Sequence, residues 1–308
     1  MLSRIAESLF WIGRYLERGD GTARILDVHL QLLLEDPWVE EDQACRALLS
    51  VMGSSPASDD RLTRRDVLAI LATDRTHPAS IAYSLTAARE NARRAREIVS
   101  TELYECLNTT RARMPRTIGN ERVSEYFAWV RERTALAVGI IESATSRDEV
   151  WHFFTLGRSI ERADMTARLL ATHALAGRDG PSWTTILRSC GGYEAYLRTY
   201  RGMPTTESAA EFLALDRLFP RSILFSIARA ESCLRSLEPR ADRVGVSDRA
   251  LRVLGQIRSE LEFRPIAEIL ADLALHMDAV QAATSAASEA IRARYFPTHS
   301  TPVWVGEY

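Results

Sequence analysis

Apolar residues recur three or four positions apart through most of this chain. From Ser3 to Leu34 the stripe runs Leu9, Ile12, Leu16, Ala23, Leu26 and Leu30. That spacing is one face of a long amphipathic helix, expected to stop at Asp36-Pro37. Further on, clusters of Pro, Gly and Ser punctuate the chain: GSSPASDD at 53–60, His77-Pro78, Met114-Pro115, GRDGP at 177–181, GMP at 202–204, Phe219-Pro220, Glu238-Pro239, Arg264-Pro265 and Phe296-Pro297. Helix-type periodicity fills the intervals, and alternating β-branched runs are missing. The pattern predicts an all-α protein. The final stretch from 297 to 308 reads as an irregular tail whose Val303, Trp304 and Val305 dock on the body.

One polar pattern occurs twice. GRYLERGDGTAR, Gly13 to Arg24, returns as GRSIERADMTAR, Gly157 to Arg168. Aligned at an offset of 144, Phe10–Leu26 and Phe154–Leu170 share 10 identities in 17 positions. Chance at roughly 5–7% per position would give about one. A second match, LATDRTHPASIAYSL at 71–85 with LALDRLFPRSILFSI at 213–227, has 8 identities in 15 at an offset of 142. Two matches in one order at nearly one offset predict a duplicated helical unit. Repeat one would span 1–144 and repeat two 145–308, sharing a core about a pseudo-two-fold axis as one domain over 1–308.

On a helical wheel Gly13, Glu17, Asp20 and Arg24 fall within about 60° of one another. They border the apolar stripe, with Arg14 and Arg18 on the next flank. Gly157, Glu161, Asp164, Arg168, Arg158 and Arg162 repeat the arrangement. A mid-helix glycine costs about 1 kcal/mol of helix propensity, which suits a position where another backbone comes close. If the two helices meet, Glu17 and Glu161 can each bond an arginine of the other segment, because the guanidinium fork matches a carboxylate. Three readings follow. The cluster is a buried ion-pair network that sets pairing, or a polar pocket in which arginines hold an acidic group and glutamates an amine, or an acid/base pair at Glu17 and Glu161.

Composition narrows the chemistry. All 39 basic residues are arginine, so lysine Schiff bases, lysine nucleophiles and a P-loop lysine are excluded. The net charge of −2 supplies no field for nucleic acid or an anionic membrane. Cys45, Cys106, Cys190 and Cys233 lie far apart, which points to buried thiols in a reducing cytoplasm. The first residues lack the features of a signal peptide, and no apolar run approaches ~18 residues. Neither cofactor nor metal is expected, and the oligomeric state is left open.

Other candidates carry less. Arg89, Glu90 and Asn91 in AARENARR form a second-choice binding group, or a solvated face with local ion pairs. Glu149-x-x-His152 is a single Glu-x-x-His, where a di-iron bundle needs two, and reads as a helix start with an incidental histidine. His29 and His173 hold matching positions and suit packing or capping. Asp74-Arg75 and Asp216-Arg217 read as loop and capping residues, with Ser80 and Ser222 placed to start the next helix.

The paired G-R-x-[LI]-E-R-x-D-x-T-A-R segments resemble the bacterial alpha-E domain family, named for its helices and its Glu-Arg motif. So do SRDEVWHFFTLGRSIERADMTARLL at 146–170, AARENARRAREIVSTELYECLN at 87–108 and EFLALDRLFPRSILFSIARAE at 211–231. The motif falls on Glu17-Arg18 and Glu161-Arg162. The resemblance implies neighbouring genes for circularly permuted ATP-grasp ligases and transglutaminase-like peptidases, and a place in a peptide- or amide-forming modification system. It implies no established activity of the domain itself. Gly19 and Gly21 stand where the second segment has Ala163 and Met165, which predicts a looser first helix.

Overall fold

The structure, a computed structural model, describes residues 1–35, 40–55, 60–176, 181–238 and 244–297. Among them the α-helices are α1 Ser3–Glu35, α2 Glu41–Val51, α3 Arg64–Val67, α4 Ile81–Arg94, α5 Thr101–Arg113, α6 Val123–Ala144 and α7 Glu149–Ala176. There follow α8 Trp183–Ser189, α9 Tyr193–Tyr200, α10 Thr206–Leu215, α11 Ile223–Leu237, α12 Arg249–Phe263, α13 Ile266–Ala271 and α14 Leu273–Tyr295. A π-helical stretch, Leu68–Thr73, continues α3, and a 3₁₀ turn, Asn120–Arg122, leads into α6. No strand occurs among the described residues, so the all-α expectation holds. The stop at Asp36-Pro37 and the tail residues Val303, Trp304 and Val305 lie outside the described residues.

Local chemistry places the helix starts. Ser80 Oγ accepts the Tyr83 N–H at 3.0 Å and Ser222 Oγ that of Phe225 at 3.1 Å, opening α4 and α11. Ser100 and Ser182 do the same for α5 and α8. Each such cap contributes about 1 kcal/mol. Before α4, Asp74 Oδ1 accepts the N–H groups of Thr76 and His77; before α11, Asp216 Oδ1 accepts those of Leu218 and Phe219. Helices α5, α12 and α14 end just before Pro115, Pro265 and Pro297, because a proline disfavours the helical conformation of the residue preceding it.

The centre of the molecule is the pair α1 and α7. Gly13 faces Phe154 and Arg158, Glu17 reaches Arg158 and Arg162, and Gly21 faces Met165, so the two helices run parallel and in register. Helices α4 and α6 pack on α1, and α11 and α14 pack on α7. One continuous apolar cluster joins them, from Ile5 and Phe10 through Phe127, Phe154 and Ile227 to Ile291.

Glycine makes the central contact possible. A Cβ at Gly13 would lie 2.1 Å from the Phe154 carbonyl oxygen, and one at Gly157 would lie 2.0 Å from that of Phe10. Each helix thus lays its backbone against the other, which only glycine allows. Helix α1 runs unbroken through Gly19 and Gly21. Met165 fills the space beside Gly21, where a Cβ would meet its Cε at 2.6 Å, so side-chain packing holds this part of the helix.

Candidate binding site

The close approach of α1 and α7 brings their charged faces together. Glu17 is 3% exposed and Glu161 is 2% exposed, so neither carboxylate can rely on water. Each is held by arginines of the opposite helix. Glu17 accepts bonds from Arg162 Nε at 2.9 Å and Arg162 Nη2 at 2.7 Å, with Arg158 Nε at 3.4 Å. Glu161 accepts from Arg14 Nε at 2.6 Å, Arg18 Nε at 2.5 Å and Arg18 Nη2 at 3.0 Å. The expected crossed pairing is therefore present.

A second tier lies one turn on. Asp20 accepts from Arg24 at 2.9 Å and Asp164 from Arg168 at 2.7 Å, each pair four residues apart on its own helix. Thr134 of α6 and Thr284 of α14 donate to Asp20 and Asp164 respectively. Arg18 and Arg162 also reach the carbonyls of Pro78 and Pro220, at 3.4 and 3.0 Å, tying the loops before α4 and α11 to the centre. All ten expected central residues thus lie at the α1–α7 contact, in ion-pair groups around Glu17 with Asp20 and around Glu161 and Asp164.

Arg221 joins them without having been expected. Its Nη1 stands 2.7 Å from Glu17 Oε1, and its Nη2 bonds Asp20. It follows Pro220 in the loop before α11, and the signal for it was one mismatch: Ala79 occupies the corresponding place in the 71–85 segment.

Burial and charge compete here. Burial pushes the Glu161 carboxyl up, but Arg18 and Arg14 together outweigh it and hold the group at about 2. Burial likewise acts against Glu17, and Arg162, Arg221 and Arg158 hold it well below the usual carboxylate range. Burial weakens the Arg221 guanidinium, but Glu17 and Asp20 more than restore it and raise it above its ordinary value. Both carboxylates stay ionised as acceptors, and the arginines fix their direction.

A cavity of about 290 Å³ opens onto one side of this network. Glu161, Asp164, Arg18, Arg168, Ala79 and Ser54 contribute to its walls. A second cavity, about 360 Å³ and mainly apolar, lies farther along and is lined by both His29 and His173. His29 Nε2 and His173 Nδ1 are buried without a partner among the described residues, and burial lowers the His29 imidazole to about 4. His173 packs edge-on against Trp183 at 4.1 Å between ring centroids.

The second-choice group takes no part in the centre. Arg89 bonds Asn108 and Tyr104 of α5 and its neighbour Glu90, while the Asn91 amide donates to the Ala87 carbonyl. Glu149 opens α7, and among the described residues no three His, Cys, Asp or Glu side chains are grouped to hold a metal ion.

The family model for Alpha-E, described as a predicted alpha-helical domain with a conserved ER motif, matches residues 1–296. The chain belongs to the Alpha-E family. Similar proteins are an uncharacterised protein of Mycobacterium bovis, 24% identical over 262 residues, and two of Mycobacterium tuberculosis, 24% and 23% identical over the same length. Each alignment covers 76% of this chain and 30% of the relative, so the chain spans under a third of those longer proteins. No solved structure matches it. The two Glu-Arg pairs of this Alpha-E chain, Glu17-Arg18 and Glu161-Arg162, lie at the α1–α7 contact. No helix among the described residues is long and apolar enough to cross a membrane.

Proposed function

We propose that this Alpha-E chain is an accessory binding component of an ATP-grasp-associated peptide- or amide-forming system, and that its charged centre takes a small amino-acid-like or peptide group or presents itself to the ligase. The architecture we propose for it is one domain of two helical copies, 1–144 and 145–308, about a pseudo-two-fold axis between α1 and α7. Reciprocity supports the duplication: Gly13 abuts Phe154 as Gly157 abuts Phe10, and each glutamate bonds the other helix's arginines. The observation that carries the binding role is the cavity, which reaches buried Glu161 and Asp164 from outside. A network serving only as internal scaffolding has no need of such an opening.

Acid/base catalysis by Glu17 and Glu161 has less support. A general acid or base works best with a pKa near the operating pH, and arginines hold both groups far below it. A cytoplasmic setting fits the four buried, unpaired cysteines. The test is co-expression with an adjacent ATP-grasp ligase, co-purification, and mass spectrometry of the product. We expect the ligase to be retained and its product to depend on this chain. A ligase that is not retained and makes the same product without the chain refutes the proposal.

A further inference from the structure

The two matched loops before α4 and α11 differ at two places beside the central cavity, His77 for Phe219 and Ala79 for Arg221, and the second changes the charge. Pro78-Ala79-Ser80 aligns with Pro220-Arg221-Ser222. Ser80 and Ser222 cap their helices in the same way, so positions 79 and 221 stand at the same point of the turn. Arg221 sends its guanidinium inward to bridge Glu17 and Asp20. Ala79 has nothing to send. Where its missing side chain would reach, the structure has the 290 Å³ cavity.

Four charged residues on the walls of that cavity match the surroundings of Arg221, while His77 and Met165 on the same walls stand where the other half has Phe219 and Gly21. Glu161 stands for Glu17, Asp164 for Asp20, Arg18 for Arg162 and Arg168 for Arg24. What differs is how many donors the acids receive. Among the described residues Glu17 Oε1 accepts from both Arg162 and Arg221, whereas Glu161 Oε1 accepts from Arg18 alone, at 2.5 Å. Among the same residues Asp20 Oδ2 accepts from Arg24 and Arg221, whereas Asp164 Oδ2 accepts from Arg168 alone, at 2.7 Å. The Ser54 hydroxyl on the cavity wall is also enclosed and has no partner among the described residues. Buried acceptors with unused capacity are costly unless something donates to them.

We propose that this cavity binds a guanidinium group from outside the chain, an arginine side chain or a small guanidine compound, in the place that Arg221 fills on the opposite side. The planar fork spans two carboxylates one helical turn apart, which a compact ammonium does less well. An anion would confront the Glu161 carboxylate. The other half already seats a guanidinium among three arginines, Arg24, Arg158 and Arg162, the same number as here in Arg168, Arg14 and Arg18, so the neighbouring positive charge is no bar. The proposal deepens the binding role argued above and rests on it, but its test needs no ligase.

The test is calorimetric titration of the full chain with agmatine, L-arginine and N-acetyl-arginine amide, against N-acetyl-lysine amide and sodium acetate at matched ionic strength. The guanidine compounds should bind at one site, at least about tenfold more tightly than the lysine compound. Preference for L-arginine would mean that Arg168 meets its carboxylate; preference for the capped amide would mean a peptide ligand. Ala79→Arg should fill the cavity from within, raise the melting temperature and weaken binding at least about tenfold. Should that variant not fold, Asp164→Asn should weaken binding by a similar factor. In Arg221→Ala a lowered melting temperature should recover more with low guanidinium chloride than with equal sodium chloride. Absence of guanidine binding, equal binding of lysine amide or acetate, or undiminished binding in folded Ala79→Arg or Asp164→Asn overturns the inference. A chain that binds no guanidine compound yet retains the ligase would lose this inference and keep the proposed function.

Discussion

Replacing Gly157 with alanine places a methyl carbon 2.0 Å from the Phe10 carbonyl oxygen and 3.3 Å from the Arg14 nitrogen. A carbon and a carbonyl oxygen approach to about 3.3 Å at closest, so α1 and α7 must separate by roughly 1.3 Å. Both colliding groups are helix backbone, and no rotamer change relieves them. Overpacking costs about 1–3 kcal/mol, and a backbone-to-backbone clash belongs at the upper end. Against this, alanine gains about 1 kcal/mol of helix propensity. Gly157→Ala should therefore lose about 2 kcal/mol. Gly13→Ala, whose Cβ would lie 2.1 Å from the Phe154 oxygen, should lose as much. The same separation relieves both clashes, so the double variant should cost clearly less than the sum. Gly139 in α6 is the control: a Cβ there meets nothing within 4 Å among the described residues, and Gly139→Ala should gain about 0.5–1 kcal/mol. Urea unfolding followed by far-UV circular dichroism measures all four. If Gly157→Ala is as stable as the parent, or if Gly139→Ala is equally damaging, the close parallel packing of α1 and α7 is wrong.

Other consequences concern charge. Glu161→Ala leaves Arg14 and Arg18 without their buried carboxylate and should cost about 3–5 kcal/mol in the same assay; a loss under about 1 kcal/mol would mean the arginines simply turn to solvent. With Glu161 at about 2 when folded against 4.5 as a free group, its contribution is complete above pH 4.5 and is lost as pH falls toward 2. That shift corresponds to about 3 kcal/mol, and urea midpoints that stay flat from neutrality to pH 3 would contradict it. His29 acts in a different window: its folded value of about 4 lies below the ordinary 6.5, so stability declines as pH falls through that range. Allowing for partial exposure, the loss is on the order of 1–2 kcal/mol, and His29→Leu should remove that slope while leaving the one below pH 4.5.

Much of this molecule follows from short-range chemistry and was legible without coordinates. The 3.6-residue periodicity marks α1 and α7, the serines at 80 and 222 start α4 and α11, and the two Glu-Arg segments announce a related pair of helices. A glycine amid good helix formers signalled that a backbone had to come near. Partner choice was another matter. Arg14 lies within one turn of Glu17 on the same helix, so local spacing alone would favour an i,i+3 pair. Packing instead presses the two helices together at Gly13 and Gly157, and the nearest guanidinia to each carboxylate are then those across the contact. Arg221 shows the same limit, since a loop arginine far along the chain is surface-like until α11 seats against α7 and turns it toward Glu17 and Asp20. The cavity beside Ala79 is likewise a product of the fold, because an empty space belongs to no residue and exists only once its walls have been brought together. Periodicity and capping act over a few neighbouring residues, whereas the pairing of buried charges depends on distances set by helices far apart in sequence.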